Sequence, residues 1–288
     1  MGVFASIDGT VVPGEEAKVS AFDNGFAFGD SVYETLRTYA GRAFTLGRHL
    51  ARLRKSAGRL GFEIPQSDAE LRARVIAVLA AAGNAESYLR LIVSRGKGDL
   101  SYNFDRIKGP TVVMLVKPFE EFPERHFSEG IPVALVSIRR NPKRSLDPAI
   151  KSSNLLNNLL ATMEAQRAGA FEAILLNERD EIAEGAGSNV FVGKAGRLRT
   201  PPLEAGILAG ITRDLVLELA HALDIEVRQE PLRPDDLFGA DEAFITSTLK
   251  EVTPIARVGD LPIGAGKPGE LTRRLQAAYR ERTRHHED

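Results

Sequence analysis

Two residues near the middle of this chain have the chemistry for covalent catalysis on a carbonyl compound. Lys151 lies in Ile150-Lys151-Ser152-Ser153-Asn154-Leu155-Leu156, with apolar neighbours and a helical pattern just beyond. An amine at a helix N-terminus faces the positive end of the helix dipole, and partial burial also favours its neutral form. A neutral lysine amine can form a Schiff base with an aldehyde. Glu184 ends a short strand before the small-residue turn Gly185-Ala186-Gly187-Ser188. A carboxylate there can keep a pyridine-type nitrogen protonated, which turns the ring into an electron sink. Both residues also have ordinary readings: Lys151 as a solvated surface charge, and Glu184 as an exposed carboxylate beside a turn.

A phosphate cradle would complete such a set. Gly210-Ile211-Thr212 opens a helical pattern and offers backbone N–H groups and a hydroxyl. Ser247-Thr248 follows a strand and offers two more hydroxyls, while Arg52 on a basic helix offers a planar fork. Taken singly these are weak, since a threonine at a helix start is usually only a cap. Together they describe pyridoxal 5′-phosphate, with a lysine for the aldehyde, a glutamate for the ring nitrogen and several elements for the phosphate.

The bulk properties exclude other chemistries. No cysteine occurs, which removes disulfides, thiolate nucleophiles and cysteine metal sites. The five histidines, His49, His126, His221, His285 and His286, show no metal-ligand spacing, and the terminal pair reads as a solvated tail. A net charge of -1 without like-charged blocks gives no support to nucleic-acid or membrane-surface binding. Neither a dinucleotide fingerprint nor a P-loop appears. No signal peptide or membrane span is evident, so a cytoplasmic location is the default expectation.

The elements that must position these groups follow from periodicity. A chain of 288 residues favours two domains over one. Val3–Ile7 and Thr10–Val12 read as a hairpin, Lys18–Phe22 as a short strand, and Asp23–Asp30 as a glycine-punctuated loop. Ser31–Tyr39 alternates as a strand. Thr45–Leu60 is a basic amphipathic helix, and Ser67 caps a second helix ending at Gly83. Ser87–Ser94 and Thr111–Val116 are strands. Lys117–Pro123, with two prolines and an acidic pair, interrupts the pattern. The expected division is a domain over 1–117, a linker over 118–130 and a larger domain over 131–288. The larger part reads as a strand at Ile131–Ile138, a helix at Leu155–Ala168, a meander over Glu172–Thr200, a helix from Gly210, a strand at Glu242–Thr246 and a last helix from Gly269.

The ordered strings resemble the class IV, fold-type IV pyridoxal-phosphate aminotransferases over nearly the whole chain. They are Phe28-Gly29-Asp30-Ser31-Val32-Tyr33-Glu34-Thr35, His49-Leu50-Ala51-Arg52-Leu53, Ile150–Leu155, Glu184–Phe191, Leu208–Asp214 and Thr246–Pro254. The resemblance implies an α/β (α+β) two-domain fold, with a small N-terminal α/β domain and a larger β-barrel-like domain with helices. It implies that Lys151 carries the cofactor and shuttles the proton, and that Glu184 binds the pyridine nitrogen. Arg52, Gly210, Ile211, Thr212, Ser247 and Thr248 would hold the phosphate, and Leu208 would pack on the ring. It also implies a homodimer with active sites at the subunit interface, an amino donor and a 2-oxo acid acceptor.

The strings divide on the substrate. Tyr88-Leu89-Arg90 resembles the Tyr-x-Arg strand of branched-chain enzymes, and the Ser247-Thr248-Leu249 turn could offer N–H groups to a carboxylate. Val32–Arg37 departs from the branched-chain string, and Leu155-Leu156 stand where an aromatic often follows the lysine. Tyr33-Glu34 and Ile150-Lys151-Ser152 resemble D-amino acid transaminases, whose Arg-x-His carboxylate trap is replaced here by Leu100 and Tyr102. Arg90, Arg95 or Lys97 would have to substitute for it. Val93–Gly96 resembles aminodeoxychorismate lyases, although their Lys-His-Leu-Asn string is absent. The expected reaction moves an amino group between a hydrophobic, branched-chain amino acid and 2-oxoglutarate. D-amino acid or (R)-amine transamination and a pyruvate-releasing lyase are the alternatives. Phe28, Tyr33, Tyr88, Arg90, Arg95 and Leu249 are the candidate substrate contacts, with core tyrosines and ion-paired strand arginines as their ordinary readings.

Overall fold

Alternation along Ser31–Tyr39 buries Val32, Glu34 and Leu36 on one side of a strand and turns Tyr33 and Thr35 to the other. That one strand supplies both a core face and a chemical face. It belongs to a computed structural model that describes residues 2–285, so His286 of the terminal histidine pair lies outside the described residues. Two compact units form. One takes the chain up to Glu120 with Ile150–Asn154 and Thr283 onward; the other takes Glu121–Ala149 and Leu155–Arg282. The sequence expectation ends the first domain at residue 117 and assigns 150–154 to the second, whereas the Lys151 segment groups with the first unit.

The first unit contains β1 (Phe4–Ile7), β2 (Thr10–Pro13), α1 (Asn24–Phe28), β3 (Ser31–Tyr39), β4 (Arg42–Ala43), α2 (Leu46–Arg59), α3 (Asp68–Ala82), β5 (Ser87–Ser94) and β6 (Thr111–Pro118). Its six strands form an antiparallel sheet in the order β2-β1-β6-β5-β3-β4. The apolar stripe of α2, including Leu50, Leu53 and Ala57, meets Val32 and Leu36 of β3 and Leu71, Val75 and Val78 of α3 in one core. Truncating a fully buried leucine such as Leu53 to alanine would cost about 2–5 kcal/mol. Ser67 accepts from the Glu70 N–H and Glu70 bonds back to the Ser67 N–H, forming a full capping box on α3. Lys18–Phe22 is not a strand. Its backbone turns into α1, which Asp23 caps by accepting from the Gly25 N–H, so part of the expected loop is a short helix.

The second unit contains α4 (Arg125–Ser128), β7 (Ile131–Leu135), α5 (Leu156–Arg167), β8 (Glu172–Leu176), β9 (Ile182–Gly185), β10 (Asn189–Lys194), β11 (Arg197–Thr200), α6 (Ile211–Ala222), β12 (Val227–Gln229), α7 (Pro234–Phe238), β13 (Glu242–Ser247), β14 (Glu251–Val258), β15 (Leu261–Pro262) and α8 (Glu270–His285). The strand path is β12-β11-β10-β13-β14-β7-β8-β9, with β15 on β14. It is mixed, because β7 runs parallel to both β8 and β14. The expected meander over Glu172–Thr200 is therefore broken. β8–β9 end one side of the path, and β10–β11 lie toward the other, separated by β13, β14 and β7. β9 packs beside β10 without joining its ladder, and the turn between them is closed by the Gly185 N–H on the Ser188 carbonyl at 2.7 Å. Among the described residues no helix is long and apolar enough to cross a membrane.

Candidate active site

Glu184 ends β9 in a closed environment. Its Oε1 accepts from Arg140 Nε at 2.7 Å, and its Oε2 accepts from the Leu208 N–H at 2.9 Å and, more weakly, from Asn189 Nδ2 at 3.5 Å. The carboxylate is 4% exposed, so it would be costly without these donors. Arg140 is itself fixed by Asn157 and Asn158 of α5, which sit 3.0 and 3.4 Å from its Nη1.

Asn189 links this carboxylate to the expected phosphate residues. Its Nδ2 also donates to the Leu208 carbonyl at 3.0 Å, and its strand position pairs with Thr246 on β13. A Cβ on Gly210 would stand 1.9 Å from Asn189 Oδ1, so only glycine allows this approach at the start of α6. Gly210 caps α6 without any side-chain bond to the first N–H groups, which leaves Ile211 and Thr212 presenting donors at the positive end of the helix. α6 packs on β13, whose end carries Thr246 and Ser247, with Thr248 next in the turn that follows. Thr246 Oγ1 is buried without a hydrogen-bond partner. An uncapped helix start, a cradle closed to any Cβ and an orphaned buried hydroxyl suit a phosphate dianion, and a buried carboxylate suits a protonated ring nitrogen. The residues of this unit therefore fit pyridoxal 5′-phosphate at both ends of the molecule.

The first unit holds the lysine. Lys151 does not stand at a helix start, because α5 begins five residues later at Leu156. It lies in an extended segment: its carbonyl accepts from the Tyr33 N–H at 2.9 Å, its own N–H donates to Ser56 Oγ at 3.2 Å, and Ser152 bridges to Val32. The expected help from a helix dipole is thus absent, since that field falls off within the first turn. The half-buried amine instead lies 4.4 Å above the Tyr33 ring, and no carboxylate of the described residues pairs with it. Arg90 lies over the same ring at 4.1 Å, again without a carboxylate among the described residues. Tyr33, Arg90 and Lys151 thus come together.

On the core side of the same strand, Glu34 is fully buried between α2 residues. Arg52 forks onto it through Nε and Nη2, both at 2.7 Å, and His49 Nδ1 is 2.7 Å from its Oε2. Burial alone would raise the Glu34 carboxyl, but Arg52 and then His49 override it and hold the group at about 2. His49 moves below its ordinary value because burial outweighs the neighbouring carboxylate. Arg52, expected at the phosphate, thus has much of its fork committed to Glu34.

The remaining candidates are placed differently. Phe28 is exposed at the end of α1, 5.5 Å from the ring of Tyr102. Tyr88 stacks under Lys117 at 5.8 Å. Arg95 is a structural group: it binds Asp30 through Nε and Nη2 and donates to the Leu60 carbonyl at 2.7 Å. Leu249 lies in the turn after β13 beside Thr248. Sequence reasoning missed Arg140, Asn189, Glu34 and His49 as site residues. Glu34 was readable, because it shares strand parity with the core residues Val32 and Leu36. His49 and Arg52, three apart on one helix, gave it partners. Arg140 sits in an irregular polar segment and carried no signal.

One unit thus bears a lysine beside its small antiparallel sheet, and the other bears a buried carboxylate and a phosphate-type cradle. Residues 31–258 match the family described as amino-transferase class IV, and the chain belongs to that family. It is 40% identical over 275 residues to a putative branched-chain-amino-acid aminotransferase of Methanocaldococcus jannaschii, covering 96% of this chain and 94% of the relative. It is 37% identical to the D-alanine aminotransferase of Bacillus licheniformis, covering 94% of each. The branched-chain amino acid aminotransferase of Thermobaculum terrenum, solved in its PLP form, superposes with a TM-score of 0.87 at 29% identity, covering 99% of this chain and 94% of that one. The expected two-domain α/β fold of this class is thereby met.

Proposed function

We propose that this chain is a pyridoxal 5′-phosphate-dependent transaminase acting on branched-chain amino acids with 2-oxoglutarate as acceptor. The bound cofactor supplies an electron sink for the pair left when a Cα–H bond breaks. The protein's own residues do the rest. Lys151 Nζ would hold the cofactor covalently, and its amine is the group placed to take the proton from the substrate Cα. Tyr33 presents its ring to that amine and limits where it can move. Glu184, held by Arg140, would pair with the protonated ring nitrogen. The α6 N–H groups of Ile211 and Thr212 would hold the phosphate with the hydroxyls of Ser247 and Thr248, and Arg52, oriented by Glu34, would add charge. Leu208 would pack on the ring, and its N–H fixes Glu184. The observation that carries the reading is the buried Arg140–Glu184–Asn189 chain leading to the uncapped start of α6.

A D-amino acid reading has one observation in its favour: Arg90 lies on the Tyr33 ring without a carboxylate partner, where it could receive a substrate carboxylate. Single-turnover mixing of the cofactor-loaded protein with L-leucine or D-alanine, followed by the cofactor's visible absorbance, separates the two. L-leucine is expected to react faster, and Lys151→Ala to react with neither. Turnover retained in Lys151→Ala would overturn the assignment.

The active form is a homodimer. On α5, Leu156, Leu159, Leu160 and Met163 are exposed at helical spacing, 46–68% accessible, and form an apolar stripe that a second copy would cover.

A further inference from the structure

Glu172, at the start of β8, is a buried carboxylate that the reaction does not use. Its Oε2 accepts from Lys250 Nζ at 2.5 Å and from Ser188 Oγ at 3.1 Å, while its Oε1 accepts from the Ala173 N–H at 3.2 Å. The two side-chain donors come from different turns. Ser188 ends the turn that follows Glu184. Lys250 ends the turn that carries Ser247, Thr248 and Leu249.

Both turns are tightly built around this carboxylate. A Cβ on Gly185 would meet Ser188 Oγ at 2.2 Å and the Glu172 carboxyl carbon at 3.3 Å. A Cβ on Gly187 would meet Lys250 Nζ at 3.9 Å, so the ammonium lies over the turn. The Lys250 N–H donates to Ser247 Oγ at 3.1 Å, and its carbonyl accepts from Thr253 Oγ1. Glu251, next in the chain, is held at φ 53°, a left-handed conformation that a residue with a Cβ keeps only when its surroundings enforce it. Phe171 covers the ammonium from the side at 5.4 Å.

A lysine three residues from a phosphate-binding serine has an obvious alternative use, as a direct phosphate ligand. Its geometry points elsewhere: the amine is spent on Glu172, inside the unit. We propose that Glu172 and Lys250 are positioning residues. One buried carboxylate ties the turn beside the ring-nitrogen ligand to the turn that holds the phosphate, fixing the spacing between the two ends of the cofactor site. The inference rests on the cofactor reading above. A shift of about 1 Å in such a spacing can cost on the order of a hundredfold in function.

The test titrates apoprotein with pyridoxal 5′-phosphate, reads the dissociation constant by absorbance, and then separates KM from kcat for 2-oxoglutarate. The main variant is the double Glu172→Gln/Lys250→Met, which removes both charges together and leaves no unpaired ion buried. Its dissociation constant and its KM should each rise about tenfold or more, with a smaller fall in kcat. Lys250→Arg keeps a cation for Glu172 and should stay within about threefold of wild type. A double variant that binds cofactor and acceptor like wild type overturns the proposal, even if its melting temperature falls. Wild-type protein that takes up no cofactor overturns the reading beneath it.

Discussion

Replacing Arg52 by methionine should expose how the first unit holds its buried charge. Arg52 reaches Glu34 with two 2.7 Å bonds, and Glu34 is 0% exposed. Burial opposes the ionised carboxylate, yet Arg52 and His49 bring its pKa from 4.5 to about 2. At about 1.4 kcal/mol per pH unit, that gap is worth about 3 kcal/mol of folding stability at neutral pH. The sign is that of a depressed acid. The stability is present above 4.5 and is lost as pH falls through the interval toward 2. Arg52→Met removes the main counter-charge and leaves the burial penalty, so the loss should reach about 3–5 kcal/mol. His49 reinforces the trend. Arg52 helps to depress its pKa, so without Arg52 the folded protein takes up that proton more readily in acid, which also narrows the gap to wild type.

The assay is urea unfolding of the apoprotein, where any phosphate role of Arg52 is silent, at neutral pH and at about pH 3. At the lower pH the carboxylate contribution should fall to less than half. A second comparison isolates the pair. Glu34→Gln/Arg52→Met removes both charges and should be more stable than Arg52→Met alone, because no bare carboxylate remains buried. A single variant within about 1 kcal/mol of wild type at neutral pH, or a gap that does not narrow in acid, would refute the reasoning.

Two further outcomes follow. Arg140→Leu breaks the buried ion pair on Glu184 and should lower stability by about 3–5 kcal/mol, with cofactor binding weakened alongside; Arg140→Lys should recover only part, since a single ammonium cannot reach Glu184 and Asn157 as the planar fork does. Leu159→Glu/Met163→Glu places two charges on the exposed α5 stripe and should move the mass seen by light scattering from dimer to monomer, an unchanged mass being evidence against that face as the subunit contact.

What the sequence made legible were groups whose chemistry is local. Glu184 before its small-residue turn, Gly210 at an uncapped helix start and the strand alternation at Ser31–Tyr39 each follow from a period or a cap, and the structure has them where those rules put them. Lys151 shows the limit. A helix start is the local expectation because Ser152, Ser153 and Asn154 are good caps, but the segment gains more from pairing with β3, so Leu155 caps α5 without a side-chain bond. Tertiary pairing overrides a local preference, and with it goes the helix-dipole reason for a reactive amine.

With no helix dipole at hand and no carboxylate of the described residues on its Nζ, Lys151 shares the Tyr33 ring with Arg90, while His49 and Arg52 sit across β3 around the buried Glu34. Lys151 is close enough to His49 for the lysine's charge to disfavour the protonated imidazole. Glu34 pairs with Arg52, whereas Arg90 has no carboxylate partner among the described residues and is the proposed receptor for a substrate carboxylate. A carboxylate bound at Arg90 would give that guanidinium the partner it lacks among the described residues, beside the ring that Lys151 also touches. The proposed substrate contact and the proposed cofactor lysine therefore share the Tyr33 ring, and the conflicting substrate signals of the sequence bear on this strand rather than on the cofactor cradle.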